Sequence, residues 1–173
     1  MRKARTEISL AETNHPVRFL GLTAVSNNSQ KSIVATNLAT LYSMSGLRTL
    51  VIDADLRRPT ITTRLPDRSG MPGKECKDLV RLNIIRTPGQ FDVLSSSVVD
   101  ARNLLVPKNM QALLSELNAD EAAAYDKIII DLPTLESGAD DLVVGTLLDG
   151  VVIVAEWGKT HIDTLQELVR TLQ

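Results

Sequence analysis

Two carboxylates at the end of an apolar run constrain the fold more than any other feature of this chain. Residues 49–55 read Thr-Leu-Val-Ile-Asp-Ala-Asp, and residues 56–59 continue as Leu-Arg-Arg-Pro. Because alternate side chains of an extended chain share a face, we expect Asp53 and Asp55 to emerge together at the carboxyl end of a strand. Open parallel sheets bind their ligands at that edge. The alternative is a strand end followed by a solvated turn.

Two further predicted strands also run into polar side chains. Residues 126–130 lead into Asp131, and residues 17–25 lead into a loop that ends in Lys31 and Ser32, just before a helical pattern. In a P-loop nucleoside triphosphatase, the lysine neutralises phosphate charge and the hydroxyl binds Mg²⁺. The strand-end carboxylates hold the waters of the metal or accept a proton from the nucleophile. The combination therefore predicts a nucleoside triphosphate and Mg²⁺ as ligands.

Length and composition limit the organisation of the chain. With 173 residues, 43% hydrophobic and 23% charged, residues 1–173 are expected to form one domain around one core. The formal net charge of -2 gives no electrostatic reason to expect a nucleic-acid partner. One cysteine, Cys76, and two histidines exclude an internal disulfide and a zinc-type cluster, which fits a reducing cytoplasm.

Apolar segments are too short to predict membrane insertion. The longest apolar stretch lies around residues 151–155, whereas a membrane span needs roughly 18 apolar residues. The N-terminus carries charges but no apolar signal region. We therefore expect a soluble protein.

The hydrophobic periodicity alternates between strand and helix along the chain. Short continuous apolar runs are typical of buried parallel strands, and a spacing of three to four residues is typical of helices. Strands are predicted at residues 17–25, 47–53, 91–94, 127–130 and 151–155. Helices are predicted at residues 2–12, 32–45, 108–118, 139–148 and 161–172, with a helical turn near 75–80. This order predicts an α/β fold with a doubly wound, mostly parallel sheet and helices on both faces.

The loop before Lys31 departs from the usual phosphate-binding pattern. In G-x-x-x-x-G-K-[ST], the two glycine positions are occupied here by Val25 and Gln30. A non-glycine residue held in a left-handed conformation costs about 1–2 kcal/mol, which corresponds to roughly tenfold in affinity. The candidate nucleotide-binding residues are Asn27, Asn28, Ser29, Gln30, Lys31, Ser32 and Ile33. The alternative is an exposed lysine followed by a helix-capping serine.

Four segments of the chain carry a resemblance to a known family. They are residues 32–39 (Ser-Ile-Val-Ala-Thr-Asn-Leu-Ala), 50–59 (Leu-Val-Ile-Asp-Ala-Asp-Leu-Arg-Arg-Pro), 125–133 (Tyr-Asp-Lys-Ile-Ile-Ile-Asp-Leu-Pro) and 149–160 (Asp-Gly-Val-Val-Ile-Val-Ala-Glu-Trp-Gly-Lys-Thr). In these segments the chain resembles the cytoplasmic kinase domain of bacterial tyrosine kinases, the co-polymerase ATPases of exopolysaccharide and capsule export. The Asp-Ala-Asp-Leu-Arg-Arg-Pro run is the most specific of them.

The resemblance implies a role for each candidate site residue. Lys31 would contact the phosphates, and Ser32 and Asp131 would hold Mg²⁺. Asp53 would be linked to the metal and would be a candidate base toward a tyrosine hydroxyl, with Asp55 beside it. The implied catalytic residues are Lys31, Asp53 and Asp55, and the implied metal-binding residues are Ser32, Asp53 and Asp131. Phosphoryl transfer needs such positioning and charge neutralisation.

The resemblance also implies partners and a location. The implied partner is a membrane polysaccharide co-polymerase, separate or fused, which would place the domain at the cytoplasmic face of the plasma membrane. Arg2 and Arg5 resemble the two arginines of the family's E-x-x-R-x-x-R oligomerisation helix, so they are candidates for a homo-oligomer contact.

The chain also departs from the family pattern outside the loop. The glutamate of the oligomerisation motif would fall before Met1, and the tyrosine-rich tail has no counterpart, since Tyr42 and Tyr125 both lie on apolar faces. The family's D-x-P-P is Asp-Leu-Pro-Thr at residues 131–134. These departures are expected of a truncated or degenerate member, or of a fragment of a longer membrane-anchored protein.

Three functions follow from these observations. The first is an ATP-binding tyrosine-kinase-type domain in exopolysaccharide biosynthesis, export and chain-length control. The second is a pseudo-kinase that serves as a regulatory docking module without nucleotide turnover. The third, a partitioning or division-site ATPase, needs a signature lysine five residues before Lys31, where Ser26 stands. Trp157, after the last predicted strand, is expected to pack, and lining of the nucleotide pocket is the alternative.

Overall fold

A computed structural model of the chain describes most of the predicted sheet and its helices. The described residues are 6, 17–26, 30–64, 84–85, 91–96, 103–119, 125–134 and 140–172. The predicted helix at 2–12, apart from residue 6, and the predicted turn at 75–80 lie outside these ranges, as do Arg2 and Arg5.

The centre of the fold is a six-stranded, mostly parallel sheet. Its strands lie in the order β3-β4-β2-β5-β1-β6, and only β3 is antiparallel to its neighbour. The strand bounds are Phe19–Ala24 (β1), Thr49–Asp53 (β2), Ile84–Ile85 (β3), Asp92–Leu94 (β4), Lys127–Asp131 (β5) and Gly150–Val154 (β6). The predicted α/β class is confirmed, although β3 was not predicted because two residues carry too little pattern.

Three α-helices and two 3₁₀ segments accompany the described strands. The helices are Lys31–Met44 (α1), Pro107–Ala119 (α2) and Ile162–Thr171 (α3). The 3₁₀ segments are Thr62–Arg64 and Asp140–Leu147. The α-helix predicted at 139–148 was therefore wrong in type. Val143, Val144, Gly145 and Thr146 are weak α-helix formers, which explains why the tighter form replaces it.

Both faces of the sheet are covered by apolar side chains. On β2, Leu50 and Ile52 belong to one hydrophobic cluster and Val51 belongs to the other. The first cluster includes Met110 of α2, and the second includes Leu38 of α1. Because both faces are buried, the central strands read as continuous apolar runs rather than alternating ones.

The end of α1 sets the direction of β2. Gly46 has a φ of 83°, and its N–H donates to the Ser43 carbonyl at 2.9 Å. The Leu47 N–H donates to the Tyr42 carbonyl at 3.2 Å. These two bonds form a Schellman motif, which requires a left-handed residue and so favours glycine. Gly46 thus caps α1, and the chain turns there into β2.

Register brings the polar residues to one edge of the sheet. Asp53, the last residue of β2, pairs with Asp131, the last residue of β5. On the other side, β5 pairs with β1, which ends at Ala24 before the loop that leads to Lys31. The carboxyl ends of these three parallel strands therefore meet at one site. Within the part of the chain described, no helix has the length and hydropathy to span a bilayer.

Candidate functional site

Gln30 precedes α1 in a left-handed conformation. Its φ is 55° and its ψ is 28°, and its carbonyl accepts hydrogen bonds from the N–H groups of Ile33 at 3.0 Å and Val34 at 3.2 Å. Glycine adopts this conformation without a steric penalty, whereas glutamine does so at a cost of about 1–2 kcal/mol. This strain lowers the stability of the fold.

Lys31 lies in a buried ion-pair cluster at the first turn of α1. The residue is 4% exposed, and its Nζ lies 2.8 Å from Asp131 Oδ1 and 2.9 Å from Asp55 Oδ2. The alternative of an exposed lysine is therefore wrong. A buried ammonium ion needs paired charge and hydrogen bonds to offset its lost hydration. The two carboxylates supply both.

Ser32 and Asp131 complete a second contact in the same cluster. The Ser32 hydroxyl donates to Asp131 Oδ2 at 2.6 Å, while Lys31 donates to Oδ1 of the same carboxylate. Ser32 makes no helix-capping hydrogen bond of its own, since the cap position is Gln30. Burial raises the pKa of Asp131, and the contacts with Lys31 and Ser32 oppose that shift. One carboxylate thus fixes both of the polar residues that begin α1.

Asp53 lies beside this cluster with a different set of contacts. It is 0% exposed, and its Oδ2 accepts hydrogen bonds from both the N–H and the hydroxyl of Thr62, each at 2.8 Å. Its Oδ1 is buried and accepts no hydrogen bond from the residues described here. Burial raises the pKa of Asp53, and the two bonds from Thr62 oppose the shift.

The structure brings four of the predicted site residues into direct contact. Lys31, Ser32, Asp55 and Asp131 form one cluster, and Asp53 adjoins it through its pairing with Asp131. Ile33 lies in the first turn of α1 with its side chain 37% exposed. Of the other predicted loop residues, Asn27, Asn28 and Ser29 lie outside the described residues.

Thr62 is a site residue that the sequence did not indicate. It lies nine positions after Asp53, in a segment whose pattern predicted no regular structure. The Thr-Ile-Thr-Thr run at 60–63 after Pro59 is the one feature that marks it, because threonine hydroxyls next to a turn commonly bond to nearby polar groups.

The Trp157 side chain is exposed to solvent, whereas the sequence predicted that it would pack. Its side chain is 102% exposed, in a turn after β6 that contains Gly158 at a φ of 74°. The expected packing role is therefore wrong. In contrast, Tyr42 and Tyr125 are 2% and 6% exposed, which confirms that both lie on apolar faces.

The donor set at the sheet edge fits a magnesium ion. Among the described residues, no group of three or more His, Cys, Asp or Glu side chains has the arrangement of a protein-only metal site. Mg²⁺ seldom uses such a site, because it keeps several waters and takes one or two carboxylates together with substrate phosphates. Ser32 and Asp131 offer hard oxygen donors, and the Asp53 carboxylate lies beside them.

Comparison with known proteins places the chain in a family. No family model matches it. The tyrosine-protein kinase YwqD of Bacillus subtilis is 32% identical over 169 residues, a region that covers 92% of this chain and 68% of YwqD. The chain belongs to the bacterial tyrosine-protein kinase family. The succinoglycan biosynthesis transport protein ExoP of Rhizobium meliloti is 29% identical over 167 residues. That match covers 89% of this chain but only 20% of ExoP.

Solved structures agree with this assignment. The kinase domain of VpsO superposes with a TM-score of 0.77 at 25% identity, over 96% of this chain and 83% of the solved VpsO kinase domain. Cobyrinic acid a,c-diamide synthase from Mycobacterium smegmatis, solved with bound ADP and magnesium, gives a TM-score of 0.69 at 18% identity. The superposition covers 90% of this chain and 66% of the synthase, and it shows that the two share a fold.

Replacing Asp53 with asparagine is expected to stabilise the fold. A carboxyl group whose pKa is raised by burial stabilises the folded state when protonated, and that contribution is lost as the pH rises through the folded pKa. At pH 7 in metal-free buffer, Asp53→Asn should raise Tm by about 2–4 °C, the shift that ~1 kcal/mol produces in a chain of this size. The gain should shrink in acid. Thermal unfolding with both chains measures it.

Asp126→Asn is the matched control, because Asp126 is an exposed carboxylate that accepts a hydrogen bond from the Arg48 N–H at 2.7 Å. It should show no comparable gain. A lower Tm for Asp53→Asn at pH 7 would contradict the destabilising effect assigned to the buried Asp53 carboxylate.

Proposed function

We propose that this chain is a Mg²⁺- and ATP-dependent kinase domain that transfers phosphate to tyrosine on another polypeptide. The process it serves would be exopolysaccharide biosynthesis, export and chain-length control. The observation that carries the proposal is the Lys31 cluster: an ammonium group, a hydroxyl and carboxylates at the carboxyl edge of a parallel sheet. YwqD, a tyrosine-protein kinase, and ExoP, a succinoglycan transport protein, support the two halves of the proposal.

The charge balance of the cluster supports binding of a metal–nucleotide complex. Lys31 offsets only one of the three carboxylates of Asp53, Asp55 and Asp131 when all of them are ionised. A divalent cation would balance the remaining negative charge. The phosphate oxygens of ATP would then replace the carboxylates as ion-pair partners of the Lys31 ammonium group. We propose that Lys31 exchanges its carboxylate partners for phosphate oxygens when ATP binds. Ser32 and Asp131 would hold Mg²⁺, which supplies positive charge against the phosphate oxygens.

Asp53 is the proposed base for the transfer step. Its Oδ1 is buried and unpartnered among the described contacts, so it has a free lone pair for a tyrosine hydroxyl proton. As the tyrosine oxygen bonds to the γ-phosphorus, the bond from that phosphorus to the β,γ-bridging oxygen breaks and ADP leaves. The raised pKa of Asp53 makes its ionised form a better proton acceptor.

The acceptor tyrosine lies outside these residues. Tyr42 and Tyr125 are the two tyrosines of the 173 residues, and both are buried. Transfer to either of them would require local unfolding. We therefore propose a tyrosine-rich segment of a membrane co-polymerase or a related partner as the substrate, with the domain at the cytoplasmic face of the membrane.

A docking module without turnover is the second candidate. Gln30 is the specific observation that favours it, since it stands at the position where the phosphate-binding pattern has a glycine, and its side chain would compete for space with a bound phosphate. In such a module the Lys31 cluster would remain a structural ion pair. The two candidates differ in ATP binding.

Asp53→Asn is expected to abolish most phosphoryl transfer while ATP binding remains. A general base contributes about 10²–10⁴-fold, so transfer from labelled ATP to a synthetic tyrosine-rich peptide should fall by at least about 10²-fold. Asp126→Asn again serves as the control and should transfer at the wild-type rate. Transfer that survives Asp53→Asn unchanged would remove Asp53 from the mechanism. A wild-type chain that shows no saturable binding of Mg²⁺-ATP would leave only the docking module.

Gln30→Gly is expected to tighten ATP binding and to stabilise the fold. The affinity gain comes from removing a side chain next to the phosphate position, and the stability gain comes from releasing left-handed strain. Glycine's greater freedom in the unfolded chain offsets part of the latter, so we expect a net gain of up to about 1 kcal/mol.

Gln30→Ala separates the two effects, because it removes the long side chain and keeps the strained Cβ. It should share the gain in affinity, measured by titration with a fluorescent ATP analogue, but not the gain in stability. Unchanged affinity in both variants would show that Gln30 does not obstruct the nucleotide.

A further inference from the structure

A turn after β2 places the Thr62 side chain against Asp53. Ile61 is buried in the hydrophobic cluster that covers the α1 face of the sheet. The Thr63 N–H donates to the Pro59 carbonyl at 3.3 Å and closes the turn. Between these anchors, Thr62 begins the 3₁₀ segment and points at the carboxyl end of β2. Packing of the turn thus fixes where Thr62 lies.

Thr62 binds a single oxygen of Asp53 with two donors. Its N–H and its hydroxyl each lie 2.8 Å from Asp53 Oδ2. The hydroxyl oxygen in turn accepts a hydrogen bond from the Ser96 N–H at 3.2 Å, just beyond the end of β4. Because that bond uses a lone pair of the hydroxyl, its proton is directed toward Asp53. The Ser96–Thr62–Asp53 chain therefore fixes the Asp53 carboxylate in one orientation.

The two carboxylate oxygens of Asp53 accept unequal numbers of hydrogen bonds. Oδ2 has two donors, whereas Oδ1 is buried and has none among the described residues. A network that served stability alone would distribute donors over both oxygens, because an unpaired buried polar atom destabilises the fold. The unequal arrangement leaves one oxygen available at the sheet edge where Lys31 and Asp131 lie.

We propose that Thr62 is a positioning residue for phosphoryl transfer, which holds Asp53 Oδ2 so that Oδ1 faces the incoming tyrosine hydroxyl. This inference rests on the proposed kinase function. It assigns to the turn after the Asp-Ala-Asp sequence a role in the transfer step and not in nucleotide affinity. Thr62 contacts Asp53, whereas the first turn of α1 carries Lys31 and Ser32.

The test compares Thr62→Val with Thr62→Ser in the full chain. Valine keeps the shape and the main-chain donor but removes the hydroxyl, and serine restores the hydroxyl. For transfer to a synthetic tyrosine-rich peptide, Thr62→Val should lower kcat by about 10–100-fold, the loss that a misplacement of about 1 Å produces. The KM for ATP and the Kd for Mg²⁺-ATP should stay within about twofold. Thr62→Ser should restore most of kcat.

Thr63→Val is the matched control. Its hydroxyl donates to the Pro59 carbonyl at 2.8 Å within the same turn. Among the described residues it makes no hydrogen bond to Asp53. It should keep the wild-type kcat. If the Thr62→Val chain shows no cooperative unfolding transition above the assay temperature, it is not folded in the assay. The smaller substitution Thr62→Ala then replaces it.

Each outcome decides the inference. A Thr62→Val chain with wild-type kcat and a lowered Tm would show that the bond is only structural, and would overturn the proposal. An equal fall in Thr62→Val and Thr62→Ser would overturn it too, because the hydroxyl would not be the cause. A wild-type chain that binds Mg²⁺-ATP but transfers no phosphate would overturn the proposed function and the inference together. Failure of the inference alone is distinct, since the wild type is then active.

Discussion

The ion-pair cluster around Lys31 is the interaction on which the site depends. One buried ammonium group lies within 2.9 Å of carboxylate oxygens from Asp55 and Asp131. These acids come from the ends of two different strand segments, and the lysine comes from the helix that follows a third strand. The contacts therefore fasten α1 to the carboxyl edge of the sheet. A lysine at this depth would lose its charge or its position without them.

The same cluster is held in a conformation that is costly for stability. Gln30 adopts a left-handed conformation directly before Lys31, and burial raises the pKa values of Asp53 and Asp131. Proteins retain strained backbone and buried charge where function requires them, and other parts of the fold compensate. Here the compensation comes from two apolar clusters, one on each face of the sheet, which bury the apolar side chains of the central strands.

Much of the fold and the core of the site follow from the sequence. Continuous apolar runs predicted the central strands, and the strand-end acids predicted where Asp53, Asp55 and Asp131 would meet Lys31. Other features did not follow from it, among them the short strand β3. The contact of Thr62 with Asp53 depends on how an irregular turn packs, which periodicity does not encode. The 3₁₀ form of Asp140–Leu147 depends on local propensity, and the exposure of Trp157 depends on the turn after an edge strand.

A double-mutant cycle between Lys31 and Asp131 tests the central claim most directly. Lys31→Met, Asp131→Asn and the double variant are unfolded with denaturant without nucleotide. The surface pair Lys159–Glu156, in which the lysine is exposed and the glutamate partly buried, provides the control cycle. If Lys31 Nζ contacts Asp131 as described, the two substitutions should be coupled by about 1–3 kcal/mol, well above the control. Additivity within about 0.5 kcal/mol would contradict the claim, because groups in direct contact do not behave independently.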